Sequence, residues 1–323
     1  MPEVSRIIKE DLAKVELKLS EQLTGSYLEE QINNMCLRVV NAGGKRIRPR
    51  LCILSRRALG DLVTLDDDCL YSLSAAIELL HTATLVHDDV IDKATVRRGV
   101  STLNETDGNH AAVLAGDYLF TRTFMCLQNL SNNALFPIVS QTLATLVRGE
   151  INQFHNQGNI DITIADYEET IYCKTGALFE FATTAAAIEA KADEKYIRAL
   201  SEYGKQLGIA FQVADDMLDY TSSTDLLGKS IGEDLTDGRV TLPLILSLKY
   251  CPQDRLDELK DAIYNDRLDT VIEFINLTES LKFCSEFALN AARKAQEALK
   301  ALPDNEFTQT LAALAYEAVN RSK

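Results

Sequence analysis

The chain has 323 residues, 46% of them apolar and 25% charged, which is enough for one large buried core or two ordinary ones. A formal charge of −15 speaks against nucleic acid as a partner, although locally concentrated cations can still meet an anionic substrate. Seven cysteines, odd in number and with no pair at metal-ligand spacing, read as reduced thiols of a cytoplasmic protein.

Met1 to Leu12 is already mixed and charged, so no secretory leader is expected. Helical periodicity then runs through most of the chain, helix formers dominate, and alternating β-branched runs are nearly absent. Breaks are expected at Ala42–Gly44, Gly60–Asp61, Arg98–Gly108, Gly158–Asp161, Thr221–Gly238 and Cys251–Asp254. More than ten helices joined by short loops follow. With no linker rich in Pro, Gly and Ser, residues 1–323 read as one all-α domain.

The first break opens Gly43-Gly44-Lys45-Arg46-Ile47-Arg48-Pro49-Arg50, four cations within six residues beside glycines that free the backbone for close approach. Pro49 suits the start of a helix, whose N-terminus attracts phosphate. In the next helix Ile77, Leu80, Thr84 and Ile91 recur at three- and four-residue steps. Glu78-x-x-His81 is half of a di-iron pattern, but Thr84, Asp107 and Asn152 precede the other histidines by three residues, so the second half is missing.

This helix runs into Leu85-Val86-His87-Asp88-Asp89-Val90-Ile91-Asp92, and Arg97-Arg98-Gly99 follow directly. Asp88 and Asp92 stand one turn apart on one face, with Asp89 beside them. Gln212-Val213-Ala214-Asp215-Asp216-Met217-Leu218-Asp219 repeats the motif, identical at four of eight positions, 127 residues later. Like charges at this spacing repel, and an apolar setting tolerates them only where a cation binds. Hard carboxylates without a His–Cys cluster suit Mg²⁺ shared with substrate phosphates. The two copies read as two faces of one site. Between them, Thr123 to Val147 is the longest uncharged stretch; its Asn, Gln, Ser and Pro137 indicate buried helices rather than a membrane span. Leu299, Leu302, Leu311 and Leu314 carry the helical period to the end.

Six collinear segments, GGKRIRPRL (43–51), IELLHTATLVHDDVIDKATVRRG (77–99), GDYLFTR (116–122), KTGALFE (174–180), GIAFQVADDMLDY (208–220) and GKSIGEDLTDGRVTLP (228–243), resemble the all-trans polyprenyl diphosphate synthases, most closely the bacterial octaprenyl diphosphate synthases. Arg239 departs from that pattern, which commonly has lysine there.

The resemblance implies antiparallel helices around a central cavity, a homodimer, and condensation of isopentenyl diphosphate onto an allylic diphosphate such as farnesyl diphosphate. Three Mg²⁺ ions would be bound by Asp88, Asp92 and Asp215, with Asp89, Asp216 and Asp219 supporting. Arg97, Lys174 and Lys229 would grip the allylic diphosphate, and Lys45, Arg48, His81 and Arg98 isopentenyl diphosphate. Lys174, Thr175 and Gln212 would serve catalysis, the last two presenting oxygens to the allylic cation.

Short-chain members of that family place Phe or Tyr one turn before the first aspartate motif; here Ala83 and Thr84 are small, with Leu80 and Ile77 beyond, so the resemblance implies passage of a growing tail and a product of about forty carbons, as for the side chain of ubiquinone. Phe124 and Met125 are candidates for the floor. A class I terpene cyclase would carry a different second motif, and a non-catalytic subunit of a heteromeric synthase tends to lose one.

Overall fold

The computed structural model describes residues 2–25, 29–64, 66–130, 132–221 and 231–320. Helices α1 (Pro2–Gln22), α2 (Glu30–Asn41), α3 (Ile47–Ala58) and α4 (Asp67–Ile91) open the chain. A two-residue hairpin, β1 (Val96–Arg97) with β2 (Val100–Ser101), is the only sheet among the described residues. Helices α5 (Leu103–Thr106), α6 (Asn109–Gln128), α7 (Leu135–His155), α8 (Ile164–Ile171), α9 (Ala177–Glu189) and α10 (Glu194–Leu218) follow. Beyond them lie the helices Glu233–Thr236, Leu242–Tyr250, Leu256–Tyr264, Leu268–Leu277, Ser280–Ala298 and Glu306–Val319. The fold is all-α, as expected.

The chain forms two compact units, each drawn from three segments. One comprises Met1–Val139, Phe181–Leu200 and Ala301–Leu311; the other comprises Ser140–Glu180, Ser201–Lys300 and Ala312–Lys323.

In the first unit α4 is the central helix. Asp66 caps it by accepting the Cys69 N–H. Leu70, Leu73, Ile77, Leu79, Leu80, Ala83 and Val86 leave little polar surface on it, and all are buried. It is the one described helix long and apolar enough to cross a membrane, and 67% of its most apolar window is buried inside the fold, as in a core helix. Helices α1, α3 and α6 pack on it. Helix α1 presents Val4, Ile8, Val15 and Leu19 inward; Asp11 on the same face is buried but accepts from Arg57 Nε at 2.5 Å and from Tyr71 Oη at 2.8 Å. That leaves no bare charge in the core.

In the second unit the helix Leu242–Tyr250 packs on Ser280–Ala298, on Leu268–Leu277 and on α8. Between α8 and α9, Tyr172–Gly176 widens into a π turn, closed by the Ala177 N–H on the Tyr172 carbonyl. This turn lies against α10 at a pair of glycines. A Cβ on Gly208 would stand 2.6 Å from Gly176 Cα, so neither helix backbone could come so close with larger residues.

Three of the expected segments need comment. The segment after Arg97 is a hairpin, because Arg98 (φ 54°) and Gly99 (φ 76°) both adopt the left-handed conformation of a tight two-residue turn. The uncharged stretch from Thr123 to Val147 does form helices, but Met125 and Val147 are exposed. Part of the Thr221–Gly238 break, with Gly228 and Lys229, lies outside the described residues.

Candidate functional site

In the first unit the cations and the first aspartate motif are set by α3, the end of α4 and the hairpin. Arg46, held in the left-handed conformation (φ 47°) just before α3, turns inward. It donates to Glu16 Oε1 at 2.6 Å, to buried Glu78 Oε1 at 2.9 Å and to the Val40 carbonyl at 2.7 Å. Arg46 is therefore a strut rather than a substrate contact, and Glu78 is its partner.

Arg48, two residues further on, is desolvated enough to push its guanidinium down to about 10, with Glu78 opposing the effect and Arg98 adding to it. Arg98 donates to the Gly43 carbonyl across the glycine turn. A Cβ at Gly44 would come within 2.8 Å of Arg98 Nη1, so Gly44 makes room for that arginine. His81 lies among these groups. Burial, then the charges of Arg48, Arg98, Arg97 and Arg46, hold its imidazole well below the ordinary histidine range, so it stays neutral. Arg48, His81, Arg97 and Arg98 thus form one basic cluster, while Lys45 stands exposed at the preceding turn. Such a cluster is suited to a multiply charged anion.

The aspartates of the first motif divide. Asp89 is 5% exposed and accepts from Arg97 Nε at 2.6 Å. Burial raises its carboxyl and Arg97 counters the effect. Asp88 is half-buried, and Asp92, at the C-cap of α4, is exposed.

In the second unit a hydrogen-bonded chain runs from the π turn to the second motif. Thr175 Oγ1 donates to Gln212 Oε1 at 2.7 Å, and Gln212 Nε2 donates to Asp216 Oδ1 at 2.8 Å. Tyr167 Oη donates to Asp216 Oδ2 at 2.6 Å. Asp216 is 6% exposed; burial and the nearby Asp234 charge lift its carboxyl well above the usual range, against the Tyr167 and Gln212 hydrogen bonds. Asp219 accepts the N–H groups of Glu233 and Asp234 at 3.2 and 3.1 Å, holding the start of the short helix Glu233–Thr236. Asp215 is exposed. Lys174 Nζ is held by Glu150 at 2.9 Å and Gln153 at 2.8 Å. Arg239 pairs with Asp237 at 2.9 Å and Asp234 at 3.5 Å.

Each motif therefore ties its middle aspartate to protein donors. Taken unit by unit, the carboxylates suit Mg²⁺: in the first unit Asp88 and Asp92 share one helix face, and in the second Asp215 is exposed, all offering hard oxygens. Among the described residues no three His, Cys, Asp or Glu side chains converge on one point.

Ile77, Leu80 and Ala83 are fully buried on α4; Thr84 is half-buried and donates to the His81 carbonyl at 2.8 Å. Of the two floor candidates Phe124 is half-buried and Met125 exposed.

Tyr167, Glu150 and Gln153 were not singled out from the sequence. A signal existed for one of them. Gly149 sits mid-helix just before Glu150, and a Cβ there would lie 2.8 Å from Lys174 Cγ, so the glycine marks where Lys174 crosses α7.

Residues 29–277 match the family model described as polyprenyl synthetase. The chain is 36% identical over 327 residues to an octaprenyl diphosphate synthase of Escherichia coli (strain K12), covering 100% of this chain and 99% of that protein. Its structure is similar to that of a decaprenyl diphosphate synthase from Rhodobacter capsulatus (TM-score 0.91, 31% identity, 100% of this chain and 99% of that one). It is also similar to a polyprenyl synthase from Caulobacter crescentus CB15 complexed with calcium and isoprenyl diphosphate (TM-score 0.90, 32% identity, 98% and 96% covered).

Proposed function

The chain belongs to the polyprenyl synthetase family, and from that premise we propose that it extends farnesyl diphosphate with isopentenyl diphosphate to an all-trans product of about forty carbons. It is a prenyltransferase of the long-chain kind. The product would serve as a quinone side chain such as that of ubiquinone.

The observation that carries this reading is the first unit's combination of an aspartate pair with a separate basic cluster of Arg48, His81 and Arg98. A cyclase ionises one diphosphate and needs no second anion site. The condensation needs two. Arg48, His81, Arg98 and Lys45 hold isopentenyl diphosphate. Arg97, Lys174 and Lys229 hold the allylic diphosphate, with Arg97 steadied by Asp89 and Lys174 by Glu150 and Gln153. Asp88, Asp92 and Asp215 bind three Mg²⁺ ions, while Asp89, Asp216 and Asp219 hold the surrounding structure.

Bound Mg²⁺ supplies the charge that lets diphosphate leave. The protein's own residues do the rest. The Thr175 hydroxyl donates its hydrogen bond to Gln212 Oε1 and keeps its proton, so its own lone pairs remain available. Those lone pairs and the Gln212 oxygen can stabilise the developing allylic cation. No side chain is an obvious base, so the final proton leaves with the released diphosphate.

We place the protein in the cytoplasm, in keeping with its seven free thiols, and read residues 1–323 as one catalytic domain. We also assign a homodimer. On α7, Val147, Ile151 and Phe154 form one exposed apolar stripe, 58, 50 and 75% accessible, at the spacing of a helix face that meets a partner.

Our reading of product length rests on Ala83, a small buried residue about one turn before Asp88. Each isoprenyl unit contributes about 0.8 kcal/mol per buried methylene-sized group, so a tail fills whatever channel exists. Ala83→Tyr should shorten the product to fifteen or twenty carbons while the first condensation onto a short primer persists. An unchanged product distribution would show that the tail does not pass Ala83.

A further inference from the structure

Asp88 and Asp92 occupy the last turn of α4 and its C-cap, where a helix runs out of intrahelical partners. Their mutual repulsion loosens that turn further. A carboxylate pair meant to meet a cation needs its direction fixed by something other than the helix itself. Two anchors are present, one residue to either side of Asp88 and therefore about 100° to either side of it around the axis.

Asp89, bonded to Arg97, is the first. His87 is the second. Its Nε2 lies 3.2 Å from the Val113 carbonyl oxygen and 3.5 Å from Asp117 Oδ1, both on α6. Both are acceptors, so Nε2 carries the proton and the tautomer is assigned by its partners. The ring also tilts against Phe120 at 5.4 Å between centroids.

The space the ring fills is made by an absence on α6. A Cβ at Gly116 would stand 2.2 Å from His87 Nε2 and 2.4 Å from its Cδ2, far inside any contact a methyl group tolerates. Glycine in mid-helix costs about 1 kcal/mol relative to alanine. Gly116 has a local reason for being there.

We propose that His87, seated in the Gly116 notch and hydrogen-bonded to Val113, is a positioning residue that sets the rotation of the last turn of α4 and so the aim of Asp88 and Asp92. The Gly-Asp pair of the GDYLFTR segment thereby acquires a role: Gly116 admits the ring and Asp117 backs its N–H. This rests on the reading that Asp88 and Asp92 bind metal.

The test compares wild type with His87→Ala, His87→Gln, Gly116→Ala, the His87→Ala/Gly116→Ala double variant, and Asp88→Ala as reference. Mg²⁺ is titrated calorimetrically into each protein in the presence of inorganic diphosphate. The apparent KM for isopentenyl diphosphate and hydrogen exchange of residues 86–94 are measured alongside.

His87→Ala and Gly116→Ala should each weaken Mg²⁺ binding about 10–100-fold, the range for partners that orient metal ligands. They should speed exchange at 86–94 and leave the KM for isopentenyl diphosphate near wild type. His87→Gln, which keeps a donor near the Nε2 position, should recover most of the loss. The double variant should be no worse than His87→Ala, because both changes act through one ring. Wild-type Mg²⁺ binding in His87→Ala alongside its loss in Asp88→Ala would overturn this proposal alone. Unchanged binding in Asp88→Ala would take down the metal reading and this one with it. Additive losses in the double variant, or a KM that rises in step with the metal requirement, would mean general damage to α4 and would also overturn it.

Discussion

The two aspartate motifs share three aspartates at the same spacing, yet they are held by opposite means. In the first unit the middle carboxylate, Asp89, is matched by a cation, Arg97. In the second the middle carboxylate, Asp216, is matched by two neutral donors, Tyr167 and Gln212, with the charges of Asp234 and Asp215 nearby. The third positions also diverge: Asp92 is an exposed helix cap, whereas Asp219 accepts two backbone N–H groups at the start of another helix. A repeated motif therefore repeats a direction on a helix, while the surroundings decide whether each carboxylate is a ligand, an ion pair or a strut.

The sharpest way to break that comparison is at the positions that look alike in both units. Asp88→Ala and Asp215→Ala should each reduce turnover by about 10²–10³-fold or more, since each removes support for leaving-group charge. Folding should survive, because deleting a carboxylate relieves repulsion in the metal-free protein. Near-normal turnover of either variant at saturating Mg²⁺ would show that its motif is not a metal site.

Among the described residues the Arg48–His81–Arg98 cluster stands beside the first motif, so its loss should be substrate-selective. Arg48→Ala should remove about 1.5–3 kcal/mol of charge-assisted bonding, roughly a 10–100-fold rise in the apparent KM for isopentenyl diphosphate, with that for farnesyl diphosphate little changed. Equal rises for both substrates would mean that Arg48 acts through packing.

The smallest effect separates the middle aspartates by stability. Asp89→Asn breaks a charged pair and should cost about 1–3 kcal/mol, discounted because Arg97 keeps some contact with water. Asp216→Asn should show itself in the pH dependence of stability instead, since the amide keeps one acceptor for the two donors Tyr167 and Gln212. The Asp216 carboxyl is raised in the folded state, so folding takes up a proton and stability falls as pH climbs from the ordinary value of 3.8 through the raised one. Asn at this position removes that slope, and thermal unfolding followed from pH 4 upward should show a flatter profile than wild type. A profile parallel to wild type from pH 4 upward would mean that the Tyr167 and Gln212 hydrogen bonds outweigh burial at Asp216.

Much of this was legible before any coordinates. Helical period, the breaks and the i, i+4 aspartates are local signals, and the structure carries them as helices with Asp88 and Asp92 on one face. What was not legible depends on tertiary approach. Tyr167 meets Asp216 across 49 residues of sequence, and no periodicity encodes that meeting. The hairpin at 96–101 overlaps the break expected at Arg98–Gly108 but carries no hairpin signal, because its strands are two residues long and its turn places an arginine, not an asparagine, at positive φ. The π turn that presents Lys174 and Thr175 is an i+5 irregularity inside a helical pattern, invisible to a 3.6-residue period. Gly116 and Gly149 were visible as glycines in helices, but their purpose emerges only once the His87 ring and the Lys174 chain are seen against them.

The most direct measurement uses the purified chain alone, with radiolabelled isopentenyl diphosphate, farnesyl diphosphate and Mg²⁺. Products are dephosphorylated and sized. A linear alcohol of about forty carbons as the principal product is the outcome that follows from two intact aspartate motifs, a second anion site and a small residue at Ala83. A principal product of fifteen or twenty carbons, a cyclic hydrocarbon, or no incorporation without a second polypeptide would contradict it.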